Sequence, residues 1–150
     1  METGLILVTV GDAANSVLPA MGQVLRAMGR HLKIGIITTL PADWRRCMEK
    51  FTVPLKDSVH IYELSKDETP DTLREEWETA TKSITSDHYG MVILQNISIL
   101  VKKNAITTDQ LVEMLRKRPA SLHVIIADSD PGQAVLEESD MITEMRTLKG

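Results

Sequence analysis

Four short apolar runs recur along the chain, LILVTV at 5–10, IGIITTL at 34–40, MVILQNI at 91–97 and LHVIIAD at 122–128. Each is too short and too rich in β-branched residues for a buried helix. None alternates polar with apolar, so each reads as a strand covered on both faces. Such strands need helices above and below them. Because segments of helical spacing separate the runs, the predicted fold class is α/β, with helices on both sides of a mostly parallel sheet.

The intervening segments support that order. Val17, Met21, Val24, Leu25 and Met28 return at helical spacing, and Gly29 is placed to end their helix. Pro19 fits only in that helix's first turn, where its missing N–H would be unpaired anyway. Pro41 closes the second strand, and residues 42–50 form a short helix. Residues 59–64 read as an edge or third strand. Residues 72–86 read as a charged amphipathic helix around Leu73, Trp77, Ala80 and Ile84. A helix spans 108–117, capped by Thr107 or Thr108 and stopped by RKRP at 116–119. A last short helix at 133–138 precedes a final strand at 141–145. The whole, residues 1–150, reads as a single α/β domain.

Composition narrows the class. The 150 residues are 43% hydrophobic and 25% charged, enough for one core and unlike a disordered chain. No apolar run approaches the ~20 residues that span a bilayer, and the N-terminus lacks the basic-then-apolar order of a secretory signal. The expected location is the cytoplasm, with no membrane partner. A net charge of −4 and few aromatic residues argue against a nucleic-acid partner.

In a parallel sheet, ligands bind beyond the carboxyl ends of the strands. The first strand runs into GDAANSVLPA at 11–20, the position of a phosphate loop. Such a loop needs glycines for close backbone approach, a lysine for the outer phosphates and a hydroxyl for magnesium. Here Gly11 is followed by Asp12, and residues 11–20 hold no Lys or Arg. The second strand ends in TTLPADW, uncharged until Asp43. The MVIL strand ends in Gln95 and Asn96, where nucleotide-hydrolysing folds place a magnesium-holding acid, and amides are poor ligands for that hard cation. The last buried strand ends in Asp128, Ser129 and Asp130. This rim offers carboxylates and almost no cations, so an anionic ligand meets repulsion.

Other chemistry-bearing residues have plainer readings. The single cysteine, Cys47, excludes an internal disulfide and reads as a free structural thiol. His31, His60, His88 and His123 share no ligand spacing, so no metal site is expected. Glu75, Glu76 and Glu78 form a solvated helix face. The eight methionines read as core filling. Trp44 and Trp77 read as core residues, with the lining of an apolar cleft as the alternative.

Three stretches carry a family resemblance. VLRAMGRHLKIGIITTL at 24–40 resembles the segment after the phosphate loop of the ATP:corrinoid adenosyltransferases. HYGMVIL at 88–94 is similar to their strand leading into an Asp-Glu pair. LVEMLRKRPASLHVII at 111–126 and SDMITEMRTLK at 139–149 resemble their C-terminal third. The ordered RP, LHVII and D-x-x-T-E-M-R is the specific part of the match, and 45–86 is the weakest.

The resemblance implies a P-loop-NTPase-like three-layer domain that transfers the adenosyl group of ATP to a reduced corrinoid, usually as a homodimer. The functional residues do not carry over with it. The family loop, approximately G-[ND]-G-K-G-K-T-T, keeps only Gly11 and Asp12 here, and then meets Ala13, Ala14, Asn15, Ser16, Val17 and Leu18. The acidic pair falls on Gln95 and Asn96. The T-G-R-G turn falls on 127–130, with Ser129 at the arginine position. Gly22, Gly29 and Gly35 survive as close-packing positions, with Ile125 and Ile126 as sheet core and Pro119 as a helix stop. No catalytic or metal-binding residue is assigned. The degenerate cofactor positions are Gly11, Asp12, Asn15, Ser16 and Val17 in the loop, and Gln95, Asn96 and Ser129 elsewhere.

The reading that follows is a degenerate relative without ATP-dependent catalysis. It would serve as a binding or partner protein that holds a corrinoid, or pairs as a homodimer or with an active paralogue. An active transferase with ATP contacts from elsewhere, such as the other protomer, is the first alternative. A small α/β protein with a function unrelated to corrinoids is the second. Corrinoid and ATP enter as ligands by resemblance alone.

Overall fold

A computed structural model describes residues 3–55, 57–86 and 88–150, with the side chains of residues 13, 14, 42 and 45 outside the description. In chain order the elements are β1 (Ile6–Val10), α1 (Ala13–Gly29), β2 (Ile34–Thr38), α2 (Ala42–Thr52), β3 (Val59–Glu63) and α3 (Pro70–Ile84). They continue as β4 (Met91–Gln95), α4 (Ser98–Lys102), α5 (Thr108–Lys117), β5 (His123–Asp128), α6 (Gln133–Glu137) and β6 (Met141–Glu144).

The six strands form one sheet in the order β3-β2-β4-β5-β1-β6. Every pairing is parallel, so the expected mostly parallel sheet is wholly so. Strands β2 and β4 are buried at all five positions, as their unbroken apolar runs require. The edge strand β6 is exposed at all four of its residues.

Each face of the sheet has its own core. On one face, Leu73, Trp77, Ala80 and Ile84 of α3 and Leu111, Val112 and Leu115 of α5 meet Val8, Ile37, Leu94 and Ile126. On the other, Ala20, Val24 and Ala27 of α1 cover Ile36, Ile93 and Ile125. A small satellite of Val17, Leu40 and Met48 joins α1 to α2. The core stripe of α3 is the predicted one.

Helix α1 differs from its sequence reading. Its buried stripe is Val17, Ala20, Val24 and Ala27, while Leu25 is 58% exposed. Small alanines let the helix lie close on the sheet, which turns the longer side chains outward. The helix starts at Ala13, before the apolar periodicity begins, because Asp12 caps it there. Pro19 therefore lies inside the helix rather than in its first turn. Gly29 is the last helical residue, but the left-handed position of the stop is His31, at φ 58. The His31 N–H donates to Met28 O (2.9 Å) and the Leu32 N–H to Ala27 O (3.1 Å), which closes the helix end.

The close-packing expectation holds at one of three glycines. A Cβ on Gly35 would come 3.0 Å from Ile84 Cγ2, whereas one on Gly22 or Gly29 would meet nothing within 4 Å. Helix α4 was not foreseen. It is one turn long, and its start is capped from another strand, which periodicity cannot register.

Candidate functional site

The carboxyl ends of β1, β4 and β5 lie side by side, and their hydrogen bonds fix the rim. Gly11 N–H donates to Asp128 O (3.0 Å), and Asn96 N–H to Ala127 O (2.9 Å). Gly11, Asp12, Gln95, Asn96, Asp128 and Ser129 are thereby brought together at this edge, as the strand endings imply.

At the start of α1, Asp12 acts as an ordinary cap. Its Oδ1 accepts the Asn15 backbone N–H at 2.8 Å, and its Oδ2 accepts from Asn15 Nδ2 at 3.1 Å. Ser16 Oγ donates to Asp12 O at 2.8 Å, so this hydroxyl is turned back on the chain. Asn15 Nδ2 also reaches Thr147 Oγ1 at 3.1 Å. Val17 is buried where α1 meets α2 and packs with Leu40 and Met48. A free helix N-terminus attracts anions through its unpaired N–H groups and positive end. Here a carboxylate of the chain already stands in that place.

At the end of β4, Gln95 is 0% exposed. Its Nε2 lies 3.9 Å from Met21 Sδ, and among the described residues its Oε1 meets no donor. Asn96 adopts φ 55 and folds over β2, donating from Nδ2 to Thr39 Oγ1 (3.0 Å) while its carbonyl accepts from that hydroxyl (2.7 Å). Both amides face protein rather than the rim.

Asp128 is the functional-looking residue whose role the sequence concealed. It is 2% exposed and accepts from Ser98 N (2.8 Å), Ser98 Oγ (2.6 Å) and Asp130 N (3.1 Å). Its carboxylate thus holds the start of α4 and the turn after β5. Ser129 is exposed beside it, and Asp130 forms a long ion pair with Lys102 (3.8 Å). Near the rim, Arg146 Nε and Nη2 grip both oxygens of Glu144 at 2.8 Å, and that hydrogen bonding holds the Glu144 carboxyl below the usual carboxylate range.

A second feature lies on the outer side of α1. An apolar groove of about 360 Å³ runs between α1 and α2, with Leu18, Met21, Gly22, Trp44 and Phe51 among its walls. Trp44 is half-buried in this groove, so the cleft alternative applies to it, whereas Trp77 belongs to the core. Cys47 is exposed at the same place. Among the described residues, no three His, Cys, Asp or Glu side chains gather as a metal site, and no helix is long and apolar enough to cross a membrane.

A family model described as ATP:corrinoid adenosyltransferase BtuR/CobO/CobP matches residues 2–150. Corrinoid adenosyltransferases of Pseudomonas aeruginosa and Escherichia coli K12 are similar at 26% and 25% identity; each match covers 99% of this chain, and 77% and 79% of theirs. Among solved structures, the flagellar accessory protein FlaH of Methanocaldococcus jannaschii gives a TM-score of 0.64 at 8% identity, over 94% of this chain and 70% of that one. A KaiC-like protein of Pyrococcus horikoshii gives 0.56 at 12% identity, over 97% and 74%. These likenesses show the fold, a three-layer P-loop-NTPase-like domain.

Proposed function

Because the chain belongs to the ATP:corrinoid adenosyltransferase family, we propose that it is a member which keeps the scaffold without ATP-dependent catalysis and acts in the cytoplasm as a corrinoid-binding or partner protein. One observation carries this reading. The Asp12 carboxylate caps the helix start at which a triphosphate would have to sit.

The remaining groups do not fit magnesium-ATP. The turn supplies no lysine, and Gln95 stands buried where a metal-holding acid would be needed. Asp128 is already committed to three donors. Removing one member of a buried charge pair costs about 2–5 kcal/mol. A deficit of ~4 kcal/mol alone weakens binding about a thousandfold. What the chain retains is a parallel sheet with an uncharged groove beside it.

Calorimetric titration with Mg-ATP, and spectral titration with cobalamin under reducing conditions, test the proposal. Corrinoid binding with no heat from ATP is the expected result. Micromolar ATP binding would overturn the reading of the turn and call for an adenosyl-transfer assay. Silence from both ligands would overturn the corrinoid half and leave a function unrelated to corrinoids.

A further inference from the structure

We propose that the groove between strand β3 and helix α3 takes a short extended segment of another protein, basic at alternate residues, which joins the sheet beside β3 as an added strand. This goes beyond the corrinoid reading and holds with or without it.

Strand β3 ends the sheet, with β2 as its one neighbouring strand. The Ile34 N–H donates to Ser58 O (2.8 Å) and the Leu64 N–H to Thr38 O (2.9 Å), so the even-numbered residues of this stretch bond to β2. A parallel pair uses every second residue of each strand in this way. The N–H and C=O groups of Val59, Ile61 and Glu63 therefore point away from β2, toward the edge. Val59 is buried, but Ile61 and Glu63 stand in the wall of a surface groove of about 510 Å³.

The far wall of this groove is α3. Thr72, Glu75, Glu76 and Thr79 return there at spacings of three and four, a second stripe beside the one that packs on the sheet. The stripe is about 10 Å long, and so is the strand wall from Ile61 to Leu64. An extended chain covers that length in three or four residues. Peptides add to an exposed edge strand by main-chain hydrogen bonds, while pockets for alternate side chains give the selectivity.

Charge selects the occupant. Glu63, Glu75 and Glu76 line the groove, and no Lys, Arg or His does. The Ser65 N–H donates to Glu76 Oε2 (2.9 Å), which fixes that carboxylate beside the end of the strand. Among the described residues no three carboxylates, imidazoles or thiols gather as a metal site, so a metal ion is not the match. A second copy of this chain is a poor match as well, because pairing β3 with itself brings two acidic walls together. A strand with Lys or Arg at alternate positions sets its cations against α3. The residues between them fall on the opposite face of the sheet, beside Ile61, which packs against the α1 core, so they are apolar.

Fluorescence anisotropy on the full chain, with the fluorescein-labelled peptide Lys-Val-Lys-Val-Lys-Val as probe, tests the proposal. Binding that weakens as salt rises is expected, and Glu-Val-Glu-Val-Glu-Val should not bind. Methylation of every second backbone nitrogen of the probe removes its donors along one edge. One of the two such peptides should bind ~10-fold or more weakly, through the loss of main-chain hydrogen bonds. Glu75→Lys should raise the dissociation constant ~10-fold or more, since like charges then meet. Glu75 is exposed, and circular dichroism confirms that the variant remains folded. In amide exchange followed by NMR, saturating probe should slow the Ile61 N–H and leave the β6 amides unchanged. Absence of probe binding overturns the proposal. So does binding that is indifferent to both methylated peptides or to Glu75→Lys, or that protects β6 in place of Ile61. Cobalamin takes no part in these measurements, so failure here leaves the corrinoid reading standing, and the reverse.

Discussion

The starts of α1 and α5 share a side-chain cap over three residues, though only α5 returns a bond to the cap's own N–H and only α1 stands where a ligand would be sought. In α5, the Gln110 N–H donates to Thr107 Oγ1 (3.1 Å) and the Gln110 side chain returns to the Thr107 N–H (2.8 Å). In α1, Asp12 takes the Thr107 role and Asn15 the Gln110 position, with the same three-residue reach. The turn after β1 has the chemistry of a helix start and nothing beyond it. A third start, that of α4, differs from both because its acceptor, Asp128, comes from a distant strand and is buried.

That contrast orders the expected effects of substitution. Asp128→Ala strips an acceptor from the Ser98 N–H and hydroxyl and from the Asp130 N–H in a buried setting. Hydrogen bonds to charged groups contribute about 1.5–3 kcal/mol each, and they are not additive. Urea denaturation should show a loss of about 3 kcal/mol or more.

Asp12→Ala and Thr107→Ala should each cost about 1 kcal/mol, the value of an exposed cap. Near-equal losses sharpen the likeness of the two starts. A gain of stability in Asp12→Ala would break it, since a carboxylate held at a cost implies a ligand for it. His31→Gly should add roughly 0.5–1 kcal/mol at the other end of α1, because glycine accepts the left-handed conformation without penalty. Thermal unfolding of that variant should shift upward by a few degrees.

The smallest effect concerns pH. Arg146 and Arg116 hold the carboxyls of Glu144 and Glu138 below their ordinary value of 4.5, and all four groups lie at the surface. A lowered folded-state value stabilises above the unfolded value and is lost as pH falls through the folded one. Lowering pH from 7 to 5 should therefore leave the denaturation midpoint unchanged, with weakening only in stronger acid. A fall between pH 7 and 5 would break that expectation.

The sheet was readable because its strands are unbroken apolar runs, and such runs tolerate no other covered arrangement. The stripe of α3 was readable because Leu73, Trp77, Ala80 and Ile84 return at helical spacing among charged residues. The face of α1 was not, because alanines count weakly in a periodicity while Leu25 counts strongly. Packing nevertheless chose Ala20 and Ala27 for the sheet. At the rim, the loss of Lys and Thr from the turn could be read directly. The role of Asp128 could not, because its partner Ser98 is thirty residues away and the helix that it starts is one turn long.

Strand β1 has two neighbours, β5 and β6, and both come from the last third of the chain. During synthesis, β1 must wait for more than a hundred residues before either partner exists. Pairings of such long sequence separation form slowly, since loop closure precedes any gain from the contact. An apolar segment left waiting in this way depends on α1, its immediate neighbour in the chain, for early cover. The cap between β1 and α1 is therefore also the point from which this strand is first shielded.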